Sequence, residues 1–200
     1  MSAVNFDKQE YWHARFESES EFEWLVSPAT LLAVLEPYLP DDKAAPILHL
    51  GFGTSGLQNE LRARGFENVV NVDYEPRAVQ RGRAREEERF GDVRMEYVVA
   101  DVTDFRTERR FTLVVDKGTV DAVACGGEEA LVKMGCCVEQ CLGKGGVWIS
   151  VSYSERRFEV HTLPLECKVV RRFPTRKLKA MDPDIHYFCY ALQRKTGVSL

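Results

Sequence analysis

Between residues 45 and 150 the chain alternates short apolar runs with longer helical patterns, and few folds accept that order. "APILHLG" (Ala45–Gly51), "ENVVNVD" ending at Asp73, "MEYVVAD" ending at Asp101, "FTLVVD" ending at Asp116 and "GVWISVSY" read as buried strands. "GTSGLQNELRARG" reads as a helix with Leu57 and Leu61 on one face and Gly65 as its stop. "EPRAVQRGRAREEERFG" is a polar helix with Pro76 near its first turn, and "EEALVKMGCCVEQCL" a third helix closed by "GKGG". Strand–helix alternation predicts an α/β, Rossmann-like parallel sheet with right-handed crossovers and helices on both faces. "ECKVVRRF" and "DIHYFCYALQ" then follow with no helix between them, which predicts a C-terminal antiparallel hairpin completing a seven-stranded sheet. Two helices precede the first strand. "DKQEYWHARF" puts Trp12 and Phe16 on one face, and "SPATLLAVLEPYL" opens with Ser27 as cap and Pro28 at its first position. An acidic loop, "ESESEFEW", lies between them. The expected organisation is one domain over residues 1–200, with 1–44 as a helical cap and 45–200 as the sheet core.

Composition narrows the class. Hydrophobic residues make up 44% and charged residues 29%, an ordinary globular balance, and the net charge of -4 gives no global field for nucleic acid. "MSAVNFDKQEYW" lacks a secretory pattern, and no segment approaches the roughly 18 apolar residues of a membrane span. The six cysteines form no CxxC pair, so reduced thiols and no metal are expected. In "MGCCVEQC" the residues Met134, Cys137, Val138 and Cys141 make an apolar helix face. A monomer in the cytoplasm, with the mitochondrial matrix as alternative, is the expected state. The basic stretch "RAVQRGRAREEER" reads as a solvated helix face. Arg171, Arg172, Arg176, Lys177 and Lys179 could dock an acidic partner or simply discourage edge pairing.

"GFGTSG" (Gly51 to Gly56) lies in the first strand–helix turn, where glycines let backbone approach a ligand and the helix N-terminus offers free N–H groups. Asp73, about 20 residues past Gly53, ends the second strand where a carboxylate accepts from ribose hydroxyls. Asp101 ends the third strand, where a carboxylate suits the exocyclic amine of adenine. An adenosine ligand is favoured. Dinucleotide dehydrogenases and S-adenosylmethionine-dependent methyltransferases both use this arrangement. The first would need a second half-sheet or substrate domain, for which too few residues remain. The second expects a seven-stranded sheet ending in a reversed hairpin.

The blocks "YWHARF", "FEWLV", "ILHLGFGTSGL", "VVNVDYEPRAV" and "VVDKGTVDAV" give the chain a closer likeness. It resembles the small seven-strand, class I methyltransferases that modify lysines of elongation factor 1A and citrate synthase. The K-G-T-x-D-A block is the most specific match, and the C-terminal third matches only in strand pattern. The resemblance implies S-adenosyl-L-methionine as cofactor and a protein substrate, such as a translation factor or metabolic enzyme, with nucleic acid not favoured and no membrane. It implies that Trp12, Phe16 and Trp24 close over the cofactor and that Gly51 opens the cofactor loop, with Gly53 following. Asp73 and Tyr74 match the ribose pair, Asp101 and Val102 the adenine pair, and Lys117 a cofactor-contacting lysine near the methionyl end. The chain departs from the family at Phe16, often Tyr, and at Phe52, often Cys. "ACGGEEALVKM" is also shorter than the family's insertion.

Methyl transfer to lysine is a direct displacement that needs an aligned, neutral amine and no metal or covalent nucleophile. Asp116 and Asp121 are the local candidates to take the proton, Asp121 equally a residue that caps or orients its loop and Asp116 alternatively a partner of Lys117 or of a buried backbone donor. A protein-lysine methyltransferase is the leading expectation. The alternatives are an inactive methyltransferase-fold assembly factor, for example on a ribonucleoprotein, and a small-molecule or RNA methyltransferase.

Overall fold

The computed structural model describes residues 6–175, 179, 181 and 183–195. Seven strands form one sheet in the order β3-β2-β1-β4-β5-β7-β6. Strands β1 (Ile47–Leu50), β2 (Val69–Asp73), β3 (Glu96–Val99), β4 (Phe111–Lys117) and β5 (Leu142–Ser152) are parallel. Strands β6 (Leu165–Pro174) and β7 (His186–Arg194) are antiparallel, and β7 inserts between β5 and β6. This is the expected doubly covered sheet with a reversed hairpin.

Alternation along each strand builds a core on both faces. Leu48, Leu50, Val114 and Trp148 pack with Leu131, Met134, Val138 and Cys141 of helix α6 (Glu128–Cys141). Ile47, Leu113, Val115 and Ile149 face the other way, onto Leu31, Leu32 and Leu35 of helix α2 (Pro28–Leu35) and Leu57 and Leu61 of helix α3 (Leu57–Ala63). The cysteine-bearing face of α6 is apolar packing as its spacing predicts: Cys137 and Cys141 are 3% and 2% exposed. Ser27 caps α2, its hydroxyl accepting from Thr30 N at 3.2 Å, with Pro28 at the first turn.

Two details differ from expectation. The "GKGG" segment does not close a helix; α6 runs straight into β5 at Leu142. The pairing jumps from Phe111↔Leu142 to Leu113↔Val147, so a bulge takes up the extra residues. A short helix, α5 (Thr119–Ala124), leaves the turn after β4. Its six residues are too few for a helical period to show in the sequence.

Helix α1 (Gln9–Ser18) crosses helix α4 (Pro76–Phe90) at a third, smaller cluster of Phe16, Phe52 and Ala78, with Trp12, Val79 and Tyr97 packed against it. Gly82 makes that approach possible, because a Cβ there would lie 2.7 Å from Phe52 Cε2 and 2.8 Å from Tyr97 Cε1. Alanine gains about 1 kcal/mol over glycine inside a helix. Wedging a methyl against two packed rings costs about 1–3 kcal/mol. Gly82→Ala is therefore expected to lower stability by up to about 2 kcal/mol in urea unfolding; a rise in the midpoint would contradict this packing account.

Candidate functional site

The C-terminal ends of the parallel strands bring the expected residues to one rim. After β1 the chain turns at Gly51, whose φ of +57° favours glycine. A Cβ on Gly51 would stand 2.1 Å from Thr119 Oγ1. Thr119 uses that closeness: its hydroxyl lies 3.0 Å from Leu50 O and 3.1 Å from Gly51 O and donates into this pair. The glycine loop is thereby clamped to the turn after β4. On its other side Asp73 closes the loop, Oδ2 accepting from Gly53 N and Oδ1 from Glu75 N, each at 2.9 Å. Burial raises the Asp73 carboxyl to about 6, against the opposing pull of these backbone donors.

The acidic loop points inward. Glu23 accepts from Ser55 Oγ at 2.8 Å, from Gly56 N at 2.7 Å and from Lys117 Nζ at 2.8 Å. It thus sits at the N-terminal end of α3, where a negative charge is favoured. Glu19 accepts from Thr54 Oγ1 at 2.8 Å. Lys117, its side chain 4% exposed, also donates to Trp24 O at 2.8 Å. That carbonyl begins a tight turn, Val26 N donating to it at 2.7 Å, in which Leu25 takes a φ of +62°, a strained value for leucine. Above the turn Phe6, Trp12 and Trp24 meet in a triangle, with ring centroids 6.0, 6.1 and 5.9 Å apart, and Phe16 stacks beneath Trp12 at 5.6 Å.

Helix α4 holds this N-terminal segment down, which corrects the reading of its basic stretch as a solvated face. Arg77 donates to His13 O at 3.1 Å, Arg81 to Glu19 O, and Arg85 to Ser20 O and to Thr54 O at 2.7 Å. The three arginines are four residues apart and share one helix face. Gln9 Nε2 donates to Tyr74 O at 2.7 Å, and His13 meets the buried Glu75 at 3.1 Å.

The carboxylates after β4 are turned to structural partners. Asp116 is 0% exposed; its Oδ2 accepts from Trp148 Nε1 at 2.8 Å and its Oδ1 from Val120 N at 3.1 Å. Burial raises its carboxyl to about 7. Asp121 accepts from Ser152 Oγ at 2.5 Å, Tyr153 N at 3.0 Å and Arg157 Nε at 2.9 Å. His49 is a core residue beside Asn71, and burial lowers its imidazole to about 4.

Trp12, Phe16, Trp24, Gly51, Gly53, Asp73, Tyr74 and Lys117 thus share one rim. Asp101 stands exposed beside it, two residues past β3, where Ala100 N donates to Asp73 O at 3.0 Å; Thr103 N and Oγ1 both donate to Asp101 Oδ1 at 2.8 Å. Val102 is 7% exposed and belongs to the core. Glu19, Glu23, Thr119 and the α4 arginines were missed. The four-residue arginine spacing signalled the α4 set, and the K-G-T-x-D-A block contains Thr119. Arg171 and Arg172 lie on the edge strand β6, Arg172 paired with Glu155 at 2.5 Å; Arg176 and Lys177 lie outside the described residues.

Comparison with known proteins gives a consistent result. A family model described as a methyltransferase domain matches residues 47–146. The methyltransferase srdJ of Neurospora crassa is 49% identical over 97% of this chain and 86% of its own length. EEF1A lysine methyltransferase 4 of Mus musculus is 32% identical over 76% of this chain and 63% of its own. For the eEF1A lysine and N-terminal methyltransferase of Danio rerio the figures are 30%, 77% and 22%, so the chain spans under a quarter of that relative's length. Among solved structures, a glycopeptide N-methyltransferase complexed with S-adenosyl-L-methionine superposes with a TM-score of 0.64 at 16% identity over 89% of this chain and 98% of its own, a likeness of fold. Among the described residues no helix is long and apolar enough to cross a membrane.

The two buried acids carry a pH signature. Asp73 and Asp116 have folded values above those of the unfolded chain, so the folded state holds protons that the unfolded state releases. The stability from their neutral forms is complete below about pH 4. It is lost as pH rises through about 6 for Asp73 and about 7 for Asp116. Urea unfolding from pH 5 to pH 8 is expected to show a smaller loss for Asp116→Asn, which cannot ionise, than for the wild type. Identical slopes would place the Asp116 titration elsewhere.

Proposed function

Because the chain belongs to the S-adenosylmethionine-dependent methyltransferase family, we propose that it methylates a lysine side chain of a protein. The observation that carries this acceptor is the likeness to proteins named as elongation factor 1A lysine methyltransferases, the mouse one over 76% of the chain. Residues 1–44 serve in this reading as a cap on one domain whose sheet core is 45–200.

The residues at the rim fit the cofactor. A glycine loop at the exit of β1, two carboxylates at neighbouring strand ends and an aromatic cover match a charged adenosine ligand. When bound, the cofactor supplies an electrophilic methyl group on a sulfonium. In the proposed assignment Asp73 and Tyr74 hold the ribose, Asp101 and Val102 flank the adenine, Gly51 and Gly53 admit the backbone contact, and Trp12, Phe16 and Trp24 exclude water. Lys117 is committed to Glu23 and Trp24, so it acts by fixing the cover rather than as a free cation. Asp116 and Asp121 have their oxygens occupied by structural donors and serve the turn after β4. The lysine proton then leaves to solvent, and catalysis rests on alignment and exclusion of water.

Labelled cofactor incubated with the protein and purified elongation factor 1A should place label on a lysine, located by mass spectrometry. Label on no lysine, with cofactor binding intact, would end the lysine reading. Asp73→Ala should weaken S-adenosylhomocysteine by roughly 1.5–3 kcal/mol in calorimetry, the range for hydrogen bonds to a charged group. Protection of residues 8–24 in hydrogen exchange should rise when S-adenosylhomocysteine is added; equal protection would make the cap a fixed element.

A further inference from the structure

Neighbouring strand exits are joined in a row along the rim. Ala100 N donates to Asp73 O, Gly51 N to Val72 O at 2.7 Å, and Gly118 N to Val151 O at 2.8 Å. The row therefore runs from β3 through β2, β1 and β4 to β5, whose exit is Tyr153. The proposed ribose and adenine residues occupy β2 and β3, and Lys117 marks β4. The next position along the row, beyond the methyl group, is the exit of β5.

Tyr153 stands there with 58% of its surface exposed. Its backbone is not loose. Tyr153 N donates to Asp121 Oδ2 at 3.0 Å, the preceding Ser152 hydroxyl to Asp121 Oδ1 at 2.5 Å, and Arg157 closes on the same carboxylate at 2.8 Å. The Arg157 guanidinium carbon lies 5.3 Å from the centre of the Tyr153 ring. This clasp fixes the backbone beneath the ring while leaving much of the ring exposed. The antiparallel partner adds to the same rim. Ser152 pairs with Phe188 near the start of β7, and Ile185, the residue before that strand, is 56% exposed. Phe22, from the N-terminal cap, is 42% exposed and bonds Thr54 of the glycine loop.

We propose that Tyr153 contacts the methyl acceptor, its ring flanking the acceptor's aliphatic stem, with Asp121 and Arg157 as the positioning residues that present it. The placement rests on the methyl-transfer reading, and the lysine stem on the proposed acceptor.

The test uses two nitrogen analogues of the cofactor product. One carries a 2-(butylamino)ethyl chain in place of the methyl group, which sets an amine beside the transfer point and a four-carbon stem beyond it; the other carries an all-carbon heptyl chain of the same length. Calorimetry on the wild type, Tyr153→Ala and Tyr153→Phe compares each with S-adenosylhomocysteine. The butylaminoethyl analogue should bind the wild type more tightly than S-adenosylhomocysteine does. It should weaken roughly threefold to tenfold in Tyr153→Ala, the worth of one aromatic contact. Tyr153→Phe should keep its affinity, and S-adenosylhomocysteine should bind all three proteins alike. Three results would overturn the assignment: no gain over S-adenosylhomocysteine in the wild type, no loss in Tyr153→Ala, or an equal loss for both ligands, which would mean a role in the fold. If the heptyl chain binds as well as the butylaminoethyl chain, the lysine reading fails, and the same comparison made with the heptyl analogue still decides the place of Tyr153.

Discussion

The ammonium of Lys117 holds together three parts of the chain that are far apart in sequence. It extends from the exit of β4, donates to the Glu23 carboxylate and to the Trp24 carbonyl, and is almost wholly removed from water. Burial lowers its affinity for a proton, and Glu23 opposes that shift. Glu23 in turn accepts from the N–H of Gly56, the cap residue of α3, and from the Ser55 hydroxyl. An ion pair so placed adds little net stability over apolar packing, but breaking it by removing one partner leaves a buried charge and costs about 3–5 kcal/mol. Its value is in geometry. It sets the glycine loop, the turn after β4 and the N-terminal segment in fixed relation.

The N-terminal segment is otherwise held by polar contacts more than by a deep apolar face. Helix α1 buries Phe16 alone among its residues. The α4 arginines donate to backbone carbonyls along residues 13 to 20, and Glu19 bonds Thr54. Partly solvated bonds of this kind are worth about 1 kcal/mol each. A cover attached in this way can be tight in sum yet open at modest cost, which suits a segment over a ligand site better than a fully packed helix would.

Buried acids at strand exits do a second kind of work. Asp73 ties the glycine loop to β2, and Asp116 ties β4 to Trp148 of β5 and to the start of α5. Each pays for its ionised form in desolvation, visible as a raised carboxyl, and each is tolerated because several donors converge on it. Asp121 repeats the pattern one turn later and fixes the exit of β5.

The sequence alone determined the sheet. Five apolar runs separated by helical patterns leave room for little except a parallel sheet covered on both sides, and the closing pair of strands without a helix had to reverse. It also placed Gly51, Asp73 and Asp101 at strand exits, because such positions follow from strand length alone. Bonds between distant segments were not legible. "ESESEFEW" read only as an acidic loop with no partner named for its charges, and only the folded chain brings Glu23 to Lys117 across 94 residues. "RAVQRGRAREEER" looked like a charged surface until α1 and its following loop lay across it. Asp116 and Asp121 looked like candidates for proton transfer because a sequence gives the residue type but not the direction of its side chain. Local periodicity and hydrophobicity are encoded within a few residues and can be read in order. The partner of a charge is decided by which surfaces meet when the chain closes on itself, and only the tertiary structure decides that.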